Sequence, residues 1–209
     1  QEMLALAGGF GTVATGYLQT TGYDFGKSFD PTAGSTVSPL DNVVAGSGFL
    51  IGTQGGAKRA SRALAYISPD MGGLTVAVNY STGLNDGSNL GLPENAGTGV
   101  PPNPNLKTTA YLLSANYKMD KLAAGFVYAK TANSTTGFNA TSEWALGASY
   151  DFEVAKLFAT YQSQTADQTA PAPSVSNKAM SISAVAPVGP GSVALTYAKS
   201  TMDTPSGID

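Results

Sequence analysis

The sequence predicts an all-β fold, a transmembrane antiparallel up-and-down β-barrel, and three observations favour it. Charged residues make up only 12% of the 209-residue chain, about half the usual share of a soluble domain, while hydrophobic residues make up 42% and the mean hydropathy is −0.02. No apolar run approaches the length of a transmembrane helix. Short segments instead alternate between apolar and small or polar residues. A barrel with lipid outside and water inside accounts for all three.

Ten segments show this alternation, and each has roughly the length that a tilted membrane strand needs. In one of them Leu74, Val76 and Val78 fall on one face, while Thr75 and Ala77 fall on the other. Short turns alternate with longer polar loops, as in outer-membrane barrels. The predicted strands are residues 2–7, 12–20, 60–68, 74–81, 108–118, 122–130, 143–151, 154–162, 180–187 and 193–199, and polar loops are predicted at 82–106 and 163–176.

The stretch from residue 20 to residue 62 breaks the pattern, because it is rich in Gly, Ser, Thr and Pro and shows no alternation. A compact domain rarely keeps a connection of this length without a function. Its apolar side chains, Phe25, Phe29 and Leu40 among them, are too many for a disordered linker. Ser38 followed by Pro39 is typical of a helix start and predicts one short helix over about 39–45. We therefore expect a folded loop that packs inside the barrel.

Charged side chains of this stretch indicate a candidate site. Lys58 and Arg59 precede the third predicted strand, and alternation from an outward-facing Leu64 predicts that Arg59 faces the lumen. The acids of the loop are Asp24, Asp30 and Asp41. If the loop folds inward, acids and bases face each other across a narrow gap, and opposed charges of this kind sort ions in water-filled pores. The alternative, a solvated basic face without a function, stays open.

Composition excludes several kinds of chemistry. The chain has neither cysteine nor histidine, which removes disulfides, thiolate sites and any catalytic triad or zinc site that needs imidazole. A net charge of −3 argues against nucleic acid as a partner. The glycines Gly8, Gly9 and Gly11 are not followed by the lysine of a phosphate loop and fit a hairpin turn. We expect no cofactor.

Three other architectures and functions compete with this interpretation. A soluble β-sandwich or lectin-like protein would bury one strand face, but it would not need so little charge. A barrel enzyme or an adhesin shares the predicted fold, although the lack of a histidine base disfavours a hydrolytic barrel. A self-contained ten-stranded barrel would require the segment 2–7 to pair with the segment 193–199.

Four stretches of the sequence carry distinctive motifs: GGFGTVATGY (8–17), KRASRALAYISPDMGGLTVAVNY (58–80), TSEWALGASYDFEVAKLFATYQ (141–162) and MSISAVAPVGPGSVALTYA (180–198). The most specific are the R-A-x-x-x-x-x-Y-x-[ST]-P-x-x-G-G arrangement from Arg59 to Gly73 and the GASYDF–VAKLF hairpin. In this order, and along nearly the whole chain, they resemble the Gram-negative general diffusion porins, especially the trimeric betaproteobacterial type.

The resemblance implies a single porin β-barrel domain over residues 1–209, with ten of about sixteen strands, the fourth to the thirteenth, so that both ends of the barrel lie outside the sequence. It implies that the loop at about 21–58 folds inward and narrows a water-filled channel for passive diffusion of small hydrophilic solutes and ions. It further implies a homotrimer in contact with the lipid of the outer membrane of a Gram-negative bacterium, and no enzymatic activity.

The resemblance also points to a pore constriction. Arg59 matches a basic constriction residue of the family, and Lys58 lies beside it. The predicted acidic side, chosen by position and chemistry, consists of Asp24, Asp30 and Asp41. Where the family commonly has an arginine after a glycine in the strand before the loop, this chain has Tyr17 after Gly16. Tyr17 is expected to keep the inward parity and line the wall without the charge.

Overall fold

A computed structural model describes residues 3–45, 49–83, 108–133, 138–168 and 174–203. Ten antiparallel strands form one sheet, in which each strand pairs with its neighbours along the chain. The strands are β1 (Met3–Gly8), β2 (Gly11–Gln19), β3 (Arg59–Ile67), β4 (Leu74–Gly83), β5 (Thr108–Met119), β6 (Leu122–Asn133), β7 (Phe138–Asp151), β8 (Lys156–Gln168), β9 (Val175–Val188) and β10 (Gly191–Asp203). Two helices, α1 (Thr21–Phe29) and α2 (Pro39–Val44), lie between β2 and β3.

The sheet is open, because within the described residues β1 and β10 form its two edges and do not pair with each other. The prediction of ten antiparallel strands is confirmed. The alternative of a self-contained ten-stranded barrel needs the missing pairing and is wrong. Short connections close five consecutive hairpins at one end of the sheet, so the long connections all lie at the other end.

The two faces of the sheet differ in chemistry. On β7, for example, Leu146 and Tyr150 are exposed on the outer face, whereas Ala145 and Ser149 are buried on the inner face. The register places residues of like direction side by side on neighbouring strands, so the same division runs across the sheet. An apolar outer face and an inner face of small and polar residues are the arrangement that a membrane barrel requires.

β7, β8 and β9 extend furthest toward the long connections beyond what the alternation predicts. β7 begins before residue 143, β8 continues through 163–168, and β9 begins at 175, so the described residues of the polar loop predicted at 163–176 are strand except for Ser174. Polar side chains bond across the extension: Asn177 Nδ2 donates to Gln164 Oε1 at 2.9 Å. The alternation can be recognised only as far as the strands carry apolar side chains, but backbone pairing between the strands continues into the polar residues beyond. Nearly all of the loop predicted at 82–106 lies outside the described residues.

The two helices test the prediction of one short helix in the loop. α2 confirms that prediction, since it starts with Pro39 and the Ser38 Oγ accepts a hydrogen bond from Asp41 N at 3.0 Å. α1 was not predicted, because two glycines in nine residues give it a weak intrinsic propensity. It forms because Phe25 and Phe29 are buried against the sheet, and tertiary packing of this kind stabilises short helices. No helix in the described part of the chain is long and apolar enough to cross a bilayer.

A β-bulge interrupts the alternation where β2 meets β3. The register shifts between Gly16 and Leu18, which leaves Tyr17 at the shifted position opposite Ser61 and Arg62. Arg62 has a left-handed backbone, with φ of 46°. Simple alternation therefore does not determine which face of the sheet the side chains between the bulge and the loop point to.

The outer face can be tested by replacing Leu146, which lies in the middle of β7 and is exposed there. We expect Leu146→Arg to lower the free energy of unfolding by about 2–4 kcal/mol, the cost of a cation near the bilayer midplane. Phe152→Arg, at the end of the same hairpin, should cost no more than about 1 kcal/mol, because the interface hydrates the charge. Urea unfolding of the full-length protein in lipid vesicles measures both. Equal costs would contradict a lipid-facing outer surface.

Candidate functional site: the loop on the inner face

The connection between β2 and β3, residues 20–58 and called the inner loop below, lies on the inner face of the sheet. α1 packs against strands from β4 to β8, and α2 packs against β9 and β10. Leu40 and Val44 of α2 are buried together with Phe49 and with Ala179 of β9. The loop therefore crosses the sheet on its inner side, as the sequence predicts.

Two paired glycines of the wall receive an aromatic side chain of the loop. Gly125 on β6 lies directly opposite Gly147 on β7. A Cβ atom built on Gly125 would lie 2.4 Å from Phe29 Cε2, and one built on Gly147 would lie 2.5 Å from Phe29 Cγ. Phe25 packs against Phe29 with ring centroids 5.1 Å apart and the ring planes tilted by 50°. Only glycine leaves room for this ring, so we call Gly125, Gly147 and Phe29 the glycine notch.

Polar groups of the wall hold the start of α1. Thr21 N donates to Asn79 Oδ1 on β4 at 2.7 Å, and Thr21 Oγ1 donates to Ser114 Oγ on β5. Thr20 Oγ1 donates to Ala57 O, and this bond joins the two ends of the loop. All these groups are buried, so each would be costly without its partner.

The returning half of the inner loop is held by a buried carboxylate of the wall. Glu143 on β7 is 1% exposed. Its carboxylate accepts hydrogen bonds from Leu50 N and, at 3.3 Å, from Ile51 N. Gln162 Nε2 on β8 donates to Glu143 Oε1 at 3.1 Å. These bonds replace the hydration that the Glu143 side chain loses when it is buried.

Two of the acids predicted for the constriction lie inside the loop instead. Asp30 is 3% exposed and accepts hydrogen bonds from Thr32 N at 2.8 Å and Ser38 Oγ at 2.6 Å. Asp41 is also buried, and it accepts from Gly34 N at 2.7 Å and from Thr53 Oγ1. Their carboxylates fold the loop on itself, so this structure places both side chains within the loop rather than opposite the bases.

The remaining predicted charges cluster around Gln19, near both ends of the inner loop. Gln19 is the cross-strand partner of Arg59, and Gln19 Nε2 donates to Asp24 Oδ1. The Arg59 guanidinium lies 5.9 Å from the ring centroid of Tyr23, the residue before Asp24. Lys58 Nζ donates to Gln54 Oε1 at 3.4 Å. Gln19 and Tyr23 thus link exposed Asp24 with exposed Arg59, whereas the exposed Lys58 side chain contacts Gln54.

The carboxylate of Asp24 is partly enclosed by the loop and the wall. This burial raises the pKa of Asp24 above its ordinary value, and the hydrogen bond from Gln19 opposes the rise in part. The neutral form of Asp24 therefore persists to a higher pH than that of a free aspartate. Tyr17, in the bulge, is half-buried, and the wall role predicted for it stays a prediction.

Sequence reasoning missed Glu143, Gln162 and Lys27. Lys27 is an exposed base on α1, and that helix was not predicted. The alternation predicts only that Glu143 is the first residue of a strand. The signal that could have identified it is parity: it is a lone carboxylate on the face opposite to Trp144 and Leu146. No cluster of acids in the described ranges could hold a metal ion.

Comparison with known proteins places the chain in context. A family model described as Gram-negative porin matches residues 1–207. A search of curated proteins found no match.

Several solved structures share the fold. The anion-selective porin from Comamonas acidovorans aligns with a TM-score of 0.70 at 22% identity, over 94% of this chain and 55% of that one. Outer-membrane expressed OmpT of Vibrio cholerae aligns with a TM-score of 0.71 at 13% identity, over 100% of this chain and 60% of that one. The trimer form of in-vitro folded OmpT gives 0.68 at 14% identity, over 99% and 60%. The chain thus spans between 55% and 60% of the length of these structures.

The environment of Asp24 predicts its titration. In the full-length protein, Asp24 should lose its proton at a higher pH than an ordinary aspartate, and Gln19→Ala should raise the midpoint further, because it removes a donor to the charged form. Infrared difference titration with isotope-labelled aspartate, assigned with Asp24→Asn, measures both midpoints. A wild-type midpoint at or below the ordinary value would contradict the enclosure of this carboxylate.

Proposed function

Because the chain belongs to the Gram-negative porin family, we propose that it forms part of a water-filled channel through which small hydrophilic solutes and ions diffuse passively across the outer membrane. The protein lies in the outer membrane, as its family and fold indicate. The chain spans 55% of the length of the Comamonas porin, so the activity of the whole protein is part of this proposal.

The observation that carries the proposal is the docking of a folded loop on the inner face of a membrane sheet. A solid β-barrel core would fill this face with large apolar side chains. The wall instead offers glycine, alanine, serine and glutamine to the loop, as at Gly147, Ser114 and Gln162. A face of this kind suits a lumen that holds a protein segment and water together.

We propose that the inner loop narrows the channel. The loop covers the inner face from β4 to β10. It would therefore occupy part of the cross-section of any lumen that the sheet encloses. The exposed charges along its two ends would then line the narrowest part.

The proposed constriction differs from the one predicted from sequence in its acidic side. Asp30 and Asp41 are occupied by bonds within the loop, which leaves Asp24 as the exposed acid of the described loop residues. The exposed bases of the proposed constriction are Lys27 and Lys58 of the loop and Arg59 at the start of β3. An excess of positive charge in a narrow passage raises the local concentration of anions. We propose a modest preference for anions at this point of the channel.

We further propose a homotrimer. Support comes from the family resemblance of the sequence and from the fold that this chain shares with OmpT in its trimer form. The apolar outer face can contact both lipid and a neighbouring subunit.

A channel is favoured over a barrel enzyme. The buried carboxylates Asp30, Asp41 and Glu143 each accept hydrogen bonds from loop groups, which gives them a structural task. The family match points in the same direction.

Planar-bilayer recording of the full-length protein tests the channel. We expect ohmic, salt-conducting steps, and a reversal potential in a salt gradient that favours anions. The double variant Lys58→Ser/Arg59→Ser should reduce the anion-to-cation permeability ratio by roughly two- to fivefold, because two exposed positive charges leave the passage.

A matched control removes two positive charges from the outer face. Lys130 and Lys199 are exposed on β6 and β10, away from the ends of the inner loop; Lys130 lies between buried neighbours and Lys199 between half-buried ones. Lys130→Ser/Lys199→Ser should leave the permeability ratio within error of wild type. Well-folded protein without conductance would reject the channel; an unchanged ratio in the loop variant would reject the constriction alone.

A further inference from the structure

We propose that Glu143 is the positioning residue for the returning half of the inner loop, residues 49–57, and that this half can leave the wall while α1 stays docked. The inference deepens the proposed function, because the bases Lys58 and Arg59 follow directly after this half. Its test includes a readout that does not depend on conductance.

Glu143 accepts hydrogen bonds from the backbone of one short segment of the loop as well as from the wall. Both backbone donors, Leu50 N and Ile51 N, belong to the returning half. Gln162 supports the same contact twice, since its Nε2 donates to Glu143 Oε1 at 3.1 Å and lies 3.5 Å from Ile51 O. Leu50 and Ile51 are themselves buried. Wall and segment thus satisfy each other's polar groups in a place that excludes water.

α1 has anchors that do not involve Glu143. Its first turn is bonded to Asn79 and Ser114, and Phe29 fills the glycine notch. These contacts lie on β4 to β7 and would persist without the carboxylate.

The returning half also contacts α1. Gly52 N donates to Gly22 O at 3.1 Å, and a Cβ atom built on Gly26 would lie 2.9 Å from Thr53 N, so the returning half rests on α1. Displacement of α1 must therefore move the returning half. Release of the returning half breaks the bonds that Gly22 O and Thr20 Oγ1 make with it, but it leaves the contacts of α1 with Asn79, Ser114 and the glycine notch. The loop has a primary anchor at α1 and a secondary one at Glu143.

For the channel, the consequence lies in the position of the bases. Ala57 N donates to Leu50 O at 3.0 Å, and Lys58 N donates to Gly55 O at 3.2 Å, so the geometry before Arg59 depends on the segment that Glu143 holds. Loosening this segment would move Lys58 and Arg59 and widen the passage.

Hydrogen–deuterium exchange of the full-length protein in lipid nanodiscs, read by mass spectrometry, tests the hierarchy. In Glu143→Ala the amides of residues 49–57 should exchange at least about tenfold faster, because the loss of buried hydrogen bonds alters opening equilibria by that order. The amides of 21–29 should exchange as in wild type. In Gly147→Ala, which pushes Phe29 out of the glycine notch, both stretches should exchange faster.

Two further variants keep the test decisive. Glu143→Gln retains an acceptor oxygen but turns a donor toward the loop amides, so we expect an intermediate effect on residues 49–57, and it serves if Glu143→Ala does not assemble. Thr160→Ala is the matched control, because it removes a buried hydrogen bond between Thr160 Oγ1 and Ser181 Oγ, both in the wall. Thr160→Ala should leave the exchange rates of the amides in both 21–29 and 49–57 as in wild type.

Single-channel recording of the same variants gives the functional readout. Glu143→Ala should show a higher conductance and more current noise than wild type, with Thr160→Ala unchanged. Equal acceleration of both loop stretches in Glu143→Ala, or acceleration of neither, would overturn the proposal. Faster exchange at 49–57 in a protein that does not conduct would uphold the anchor and reject the channel.

Discussion

Buried polar groups between the inner loop and the wall must be paired, and this requirement governs both surfaces. Loop backbone brings amide groups against the sheet, where water cannot reach them, and an unpaired amide there is costly. Glu143 and Asn79 are wall side chains that accept hydrogen bonds from such amides, and Ser114 accepts one from the Thr21 hydroxyl. Between these residues the side chains of the wall must be small so that the loop can pack closely against it. Gly125 and Gly147, which have no side chain, are the extreme case. The outer face has the opposite requirement, since lipid offers no hydrogen bonds.

The same pairing requirement decides which charges reach the lumen. Acids accept hydrogen bonds from backbone amides, whereas lysine and arginine have no acceptor atoms and cannot do so. Asp30 and Asp41 are therefore drawn into the folding of the loop, while Lys58 and Arg59 stay at its surface. The inner loop and Arg59 together carry three acids and three bases, yet they present one exposed acid and three exposed bases. The proposed anion preference follows from how the loop folds as much as from its composition.

The sequence was sufficient for the strands and insufficient for the loop. Alternation identifies the ten strands because every second side chain, such as Leu146, faces lipid and is apolar, a pattern that can be seen in the sequence itself. α1 and the role of Glu143 depend on residues about a hundred positions apart, which no local pattern reveals. The burial of Asp30 could not be predicted either, because it depends on Ser38 folding back over it. The bulge at Gly16 likewise defeats parity arguments beyond it.

The docking of the loop on the inner face is tested most directly by photo-crosslinking. Ser28, exposed on α1, borders a cavity of about 290 Å³ together with Asn116, Ala123 and Ser149 of the inner wall. A benzophenone amino acid placed at residue 28 of the full-length protein in lipid vesicles should form its crosslinks with peptides of β5, β6 and β7. Crosslinks to lipid chains, or none to these strands, would contradict the account.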